Sequence, residues 1–199
     1  MRRFAFLLAI WAAATVCYGQ GRFEACIMGG MNVCQVDGDD AGRYNYVGLR
    51  AGVGSSFVLD EGRGAGWRLD VELAYTQKGS RMAAGNGEIG LQYVEMGVLL
   101  AYDGGRWRLG AGVSPGVKVG CSVTFGGVAD AGQEELYRRF DWFPLTVSAR
   151  YLVTDHVGVM VRWQASMVSV YDGSGPYRFF HWNHGAFNRL LTFGLVYCL

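Results

Sequence analysis

Trp67-Arg68-Leu69-Asp70-Val71-Glu72-Leu73-Ala74-Tyr75-Thr76-Gln77-Lys78 is the stretch that decides the fold. Trp67, Leu69, Val71, Leu73 and Tyr75 are all apolar or aromatic, while Arg68, Asp70, Glu72, Ala74, Thr76 and Lys78 between them are charged, polar or small. A period of two is that of an extended strand, whose successive side chains point to opposite faces. One strand does not say which face is buried. A water-soluble barrel turns the apolar face inward around a ligand, and a membrane barrel turns it outward to lipid.

The alternation recurs seven times more, in Arg22 to Val33, Tyr44 to Val58, Leu91 to Tyr102, Arg106 to Phe125, Asp141 to Val153, Val157 to Tyr171 and Phe187 to Leu199. Eight such stretches predict an all-β chain, and their length exceeds the usual soluble strand while suiting a tilted bilayer crossing. The connections also alternate. Asp103-Gly104-Gly105 and Thr154-Asp155-His156 are tight turns and Asp60 to Gly66 a longer Gly-rich one, whereas Gln35 to Arg43, Gly79 to Gly90, Gly126 to Phe140 and Asp172 to Ala186 are long and polar. The expectation is a single eight-stranded antiparallel up-and-down transmembrane β-barrel, with short periplasmic turns and longer extracellular loops.

Parity then divides the side chains. Leu69, Val71, Leu73, Val94, Met96, Val98, Leu100, Leu109, Val147, Val159, Val161, Phe193, Leu195 and Tyr197 face outward, with Trp67, Tyr102, Trp107 and Tyr151 at strand ends where aromatic girdles sit. Glu24, Arg50, Arg68, Asp70, Glu72, Lys78, Glu95, Arg108, Lys118, Arg150, Arg162 and Gln164 face inward among glycines such as Gly54, Gly110, Gly116 and Gly120. An eight-stranded barrel is just wide enough for its own side chains to fill. Arg68, Asp70, Glu72, Lys78, Glu95, Arg108, Arg150 and Arg162 are therefore the candidate lumenal ion pairs.

The ends of the chain agree with this reading. Arg2 and Arg3 precede an apolar run from Phe4 to Val16, followed by small Gly19, which reads as a signal peptide over residues 1–19 with the barrel domain over 20–199. The apolar run is too short for a spanning helix. Removing it leaves 16 basic against 17 acidic residues, a net charge of −1, so no basic excess invites nucleic acid. With 51% apolar and 18% charged residues, the chain is neither disordered nor collagen-like.

Four cysteines remain, Cys26, Cys34, Cys121 and Cys198, and their spacing is not that of a zinc site. Three pairings are open to them, as is the reading of buried free thiols. Cys26 begins the first strand and Cys198 ends the last, both inward by parity at the same rim, which makes them the candidate disulfide.

The final residues, Thr192-Phe193-Gly194-Leu195-Val196-Tyr197-Cys198-Leu199, run polar, any, Gly, any, any, aromatic, any, apolar. This resembles the terminal signal read by the outer-membrane barrel assembly machinery. Glu72-Leu73-Ala74-Tyr75-Thr76-Gln77-Lys78-Gly79, Tyr93-Val94-Glu95-Met96-Gly97-Val98-Leu99-Leu100 and Gly29-Gly30-Met31-Asn32 together resemble the PorT-like outer-membrane β-barrel family of the Bacteroidetes lineage. The resemblance implies a barrel in the cell outer membrane. It also implies a link to protein secretion, with outer-membrane lipid, the assembly machinery and other envelope or secretion proteins as partners.

Chemistry of other kinds is thinly represented. The sequence has no P-loop, G-x-S-x-G, H-E-x-x-H or EF-hand pattern, and no cofactor is expected. His181 and His184 stand in the last long loop beside Phe179, Phe180 and Trp182, without the helix or neighbouring cysteine that would favour a metal site. That aromatic stretch reads as a recognition loop, or as an extension of the girdle. A non-catalytic scaffold or partner-binding barrel is the leading expectation. A small-solute channel and an outer-leaflet lipid-modifying enzyme are the alternatives.

Overall fold

The structure, a computed structural model, describes residues 23–37, 44–60, 65–81, 87–172 and 186–199. The expected signal peptide and the loop residues Phe179, Phe180, His181, Trp182 and His184 lie outside the described residues.

The elements are β1 (Phe23–Asp37), β2 (Tyr46–Val58), β3 (Gly66–Arg81), β4 (Gly87–Asp103), β5 (Trp107–Val113), β6 (Gly116–Phe125), β7 (Val128–Ala129), α1 (Ala131–Leu136), β8 (Phe140–Asp141), β9 (Pro144–Leu152), β10 (Val157–Ser166) and β11 (Phe187–Cys198). Each strand pairs antiparallel with its neighbours, and β1 pairs with β11 from Cys26↔Cys198 to Asp37↔Phe187. The sheet thus closes on itself. β5 with β6 forms one crossing and β8 with β9 another, so the eleven segments make a closed eight-stranded barrel, with β7 a short addition to β6.

Both interrupted crossings have a local cause. β5 and β6 part at Ser114-Pro115, where proline has no N–H to donate to a ladder. Hydrogen bonds from Ser114 N to Pro144 O (3.0 Å) and from Met96 N to Pro115 O (2.9 Å) carry the sheet across the break. Higher in β6 the pairing jumps from Gln92↔Gly120 to Tyr93↔Lys118, a bulge that leaves Val119 over. The extra residue reverses parity. Gly120, expected inside, lies on the outer face, where an added Cβ would come 2.8 Å from Gln92 Oε1.

Strands also run beyond the expected limits at the long-loop end. The β3–β4 ladder continues through Gly79↔Gly90 and Ser80↔Ile89 to Arg81↔Glu88, so residues expected in a loop stand in the wall. An Arg81–Glu88 ion pair of 2.8 Å closes that ladder. At the opposite end Gly105 takes a φ of 87°, the left-handed conformation that a tight hairpin needs and glycine adopts without strain.

The outer surface is apolar around the whole circumference. Ile27, Val53, Leu73, Val98, Leu109, Val147, Val161 and Leu195 are exposed large side chains, and at least one comes from each crossing. Aromatic pairs stand at the short-turn rim: Phe23–Phe57, Trp67–Tyr102 and Trp107–Tyr151, with ring centroids 5.3, 5.3 and 4.6 Å apart. All three pairs are directly opposed across strands, the arrangement in which aromatic pairs add to a sheet.

The interior is layered along the barrel axis. Cys26, Val196 and Cys198 cluster near the short-turn end, and charged and polar groups fill the middle. Val36, Ile89, Leu91, Tyr93, Val123, Tyr137, Val170 and Ala186 form an apolar plug towards the loops. The plug includes chain from outside the eight crossings, because Tyr137 bridges Tyr171 and Arg138 N donates to Val170 O at 2.8 Å.

Candidate functional site in the barrel lumen

At the centre of the charged layer a simple steric rule holds: the long ionised side chains of Glu72, Glu95, Arg50 and Arg162 have small cross-strand neighbours. Glu72 stands between Gly54 and Gly97, Glu95 between Ala74 and Gly116, Arg50 between Gly30 and Thr76, and Arg162 between Ser148 and Thr192. A Cβ on Gly54 would lie 3.2 Å from Glu72 Cγ, and one on Gly116 3.1 Å from Glu95 Cγ. The glycines leave the room that the carboxylates occupy.

Glu72 is the centre of the layer. Its two carboxylate oxygens accept hydrogen bonds from Arg150 and Arg162, and Arg50 Nη2 lies 3.5 Å from Oε2. Asp70 Oδ2 stands 3.6 Å from Arg150 Nη1, and its other oxygen accepts from Ser56 Oγ at 2.5 Å. One carboxylate therefore faces three guanidiniums, a group that charge-assisted hydrogen bonds hold rigidly in a low-dielectric interior.

Towards the loops, Glu95 gathers four donors: Arg50 Nη1 at 2.6 Å, Lys78 Nζ at 2.7 Å, Gln164 Nε2 at 2.8 Å and Thr76 Oγ1 at 2.9 Å. Lys78 Nζ also reaches Asp141 Oδ2 at 3.3 Å and lies 4.9 Å above the centre of the Tyr93 ring. Asp141 in turn accepts from Ser166 Oγ at 2.6 Å and Asn188 Nδ2 at 3.3 Å. Towards the turns, Glu24 Oε2 takes Arg68 Nη1 at 2.9 Å and Arg108 Nη2 at 2.7 Å, while Asp103 Oδ2 takes Arg68 Nε at 2.8 Å and Arg108 Nη2 at 2.8 Å.

The network contains six cations, Arg50, Arg68, Lys78, Arg108, Arg150 and Arg162, against six carboxylates, Glu24, Asp70, Glu72, Glu95, Asp103 and Asp141. Its charge is balanced. Arg162 at 0% exposure and Lys78 at 1% have no contact with bulk water, so the middle of the lumen is filled rather than open. Chemically, the arrangement cross-links the barrel from within, its cations and carboxylates paired with one another.

All eight candidate residues of the sequence reading, Arg68, Asp70, Glu72, Lys78, Glu95, Arg108, Arg150 and Arg162, lie in this one network. Glu24 and Arg50, read as inward-facing, belong to it too. Lys118 does not: its ammonium donates to the carbonyls of Glu134, at 3.2 Å, and Tyr137. Asp103 and Asp141 escape the sequence reading. Asp103 looks like a turn residue, and Asp141 has the outward parity of Leu145 and Val147 until the chain breaks at Trp142-Phe143 and resets it. Cys26 and Cys198 are joined in a disulfide that ties the first strand to the last, while Cys34 and Cys121 are free thiols.

Ladder and lumen together define a closed eight-stranded antiparallel β-barrel with an ion-paired interior and an apolar exterior. The attachment invasion locus protein Ail of Yersinia pestis is similar over 89% of this chain and 99% of its own, at 10% identity and a TM-score of 0.49. Neisserial surface protein A is similar over 89% of this chain and 97% of its own, at 10% identity and a TM-score of 0.46. Outer membrane phospholipase A of Escherichia coli is similar over 88% and 90%, at 10% identity and a TM-score of 0.25. No protein-family model and no curated protein matches the sequence.

Proposed function

We propose that this chain is a non-catalytic integral protein of the cell outer membrane, acting as a scaffold or partner-binding subunit. The observation that carries the proposal is the inversion of an ordinary protein: an apolar exterior on every crossing around a core of paired ions. In water that exterior would be a continuous adhesive surface. In a bilayer it is the ordinary lipid-facing surface, and the β1–β11 ladder pairs the first strand with the last so that the sheet closes. The terminal Thr192 to Leu199 pattern fits delivery by the barrel assembly machinery.

The resemblance of the Glu72 to Gly79 and Tyr93 to Leu100 segments to the PorT-like family favours a role linked to protein secretion, with other envelope proteins as partners. The filled lumen weighs against the small-solute channel, since conduction needs a continuous wetted path. The lipid-modifying reading would draw on His181 and His184, and replacing both with unchanged lipid chemistry would remove it.

The experiment is a mild-detergent purification of the tagged protein from its native outer membrane, with co-purifying chains quantified against the bait. A partner at near-equal amount is the expected result. Recovery of the barrel alone would overturn the stable-subunit reading.

A further inference from the structure

Where the β6–β8 pairing ends at Val117↔Phe140, Arg139 takes over, its carbonyl accepting from Lys118 N at 2.7 Å, and a cleft of about 670 Å³ lies beside it. Its polar wall carries more positive than negative charge. Arg138 is paired with Asp172 at 2.9 Å, but the Lys118 ammonium rests on backbone carbonyls rather than a carboxylate. Arg139 stands 5.8 Å over the Phe140 ring and is paired with no carboxylate among the described residues. Among the described residues lining the cleft, Glu135 is the one acid left to oppose these two cations.

The other wall is aromatic. Phe140 and Trp142 stack at 4.8 Å with 22° between their planes, and Trp142 is 50% exposed. It continues into the outer apolar surface through exposed Phe143 and Val119. A cationic recess beside a tryptophan ledge at the upper edge of an apolar belt suits a ligand that is anionic at one end and hydrocarbon at the other. Guanidinium matches the oxygens of a phosphate, and tryptophan favours the interface between headgroup and chain.

Resting on the membrane reading above, we propose that this cleft holds the anionic, phosphate-bearing headgroup of a membrane lipid, with its chains along the Trp142 side of the barrel. A free phosphate would use the cations but not the ledge.

The test is native mass spectrometry of the full barrel in detergent, titrated with phosphatidic acid, phosphatidylcholine of the same chains, or inorganic phosphate. Phosphatidic acid should bind about tenfold more tightly than phosphatidylcholine, the effect of one charge-assisted hydrogen bond. Arg139→Gln should remove most of that preference, and Arg81→Gln, at another point of the rim, should keep it. Trp142→Ala should weaken retention of phosphatidic acid in a barrel that still migrates as folded. Equal affinity for the two lipids, or a preference that survives Arg139→Gln, would overturn the site. Displacement of the lipid by inorganic phosphate at similar concentration would reassign it to a free anion. A barrel that stays monodisperse without detergent would overturn the membrane reading as well, whereas one that needs detergent yet shows no headgroup preference overturns this site alone.

Discussion

Lys78 Nζ lies 2.7 Å from Glu95 Oε1, although neither residue is the other's partner across the sheet: Lys78 sits opposite Leu91, and Glu95 opposite Ala74. The ion pair runs diagonally over four positions of the β3–β4 ladder, with the lysine stem lying along the lumen. Such a contact holds register. A slip of one residue would carry Glu95 to the apolar outer face, where, on the proposed membrane reading, an unpaired charge costs several kcal/mol.

Lys78→Met should lower unfolding free energy by about 3–5 kcal/mol, because it leaves buried carboxylates on Glu95 and Asp141 short of a cation. Glu95→Gln should be similarly harmful, and the double variant should cost less than the sum by about 0.5–3 kcal/mol, as coupled neighbours do. Urea titration of the barrel in vesicles, followed by the gel mobility of its folded form, gives all four values. Strict additivity would contradict the pairing.

Glu72 carries a heavier load than Asp70, although the two are a strand pitch apart on the same face. Glu72→Ala would leave buried Arg162 without its carboxylate and Arg150 with only the longer contact to Asp70, while Arg50 keeps Glu95, and should cost about 3–5 kcal/mol. Asp70→Asn leaves Arg150 its bond to Glu72 and should cost clearly less. Adding Arg162→Met to Glu72→Ala should recover part of the loss, since it removes one of the uncompensated charges. The same urea titration orders these variants.

Much of this was legible in the sequence, because the period of two from Trp67 to Lys78 and in its seven repeats is imposed by the strand backbone itself. Parity breaks down where the backbone departs from that period. The bulge at Val119 turns Gly120 outward, and the break at Trp142-Phe143 turns Asp141 inward. The bulge has no compositional mark in its own strand, while the break is marked only by Pro144, which lacks an N–H and restricts Phe143 before it. The apolar plug was hidden for a different reason: Leu91, Tyr93 and Val123 point inward while outward Gln92, Ser122 and Thr124 are polar, so alternation inverts its sense just where the lumen changes from ionic to dry. Helix α1, within a stretch read as a polar loop, is capped by Asp130, whose side chain accepts from Gln133 N at 3.2 Å.

The disulfide between Cys26 and Cys198 closes nearly the whole chain, its ends separated by 172 positions in sequence. Loop-closure entropy sets its contribution at up to about 5 kcal/mol. Replacing both cysteines with serine should lower the urea midpoint, and reductant should then have no further effect. In the unaltered protein, reductant applied after unfolding should shift refolding to the same lower midpoint. An unchanged midpoint in the serine variant would show that the strand ladder alone closes the barrel.

The central claim is that the alternation along β4 divides lipid from lumen, and spin-label accessibility tests it most directly. With Cys34 and Cys121 replaced by alanine, single nitroxides would be placed from Tyr93 to Leu100 in vesicle-reconstituted protein. At Val94, Met96, Val98 and Leu100, exposed in the structure, collisions with lipid-soluble oxygen should be frequent and collisions with a water-soluble nickel chelate rare. At Tyr93, Glu95, Gly97 and Leu99, which are buried, both should be rare. Outward positions that meet the nickel chelate freely would contradict the account, because the apolar face would then stand in water.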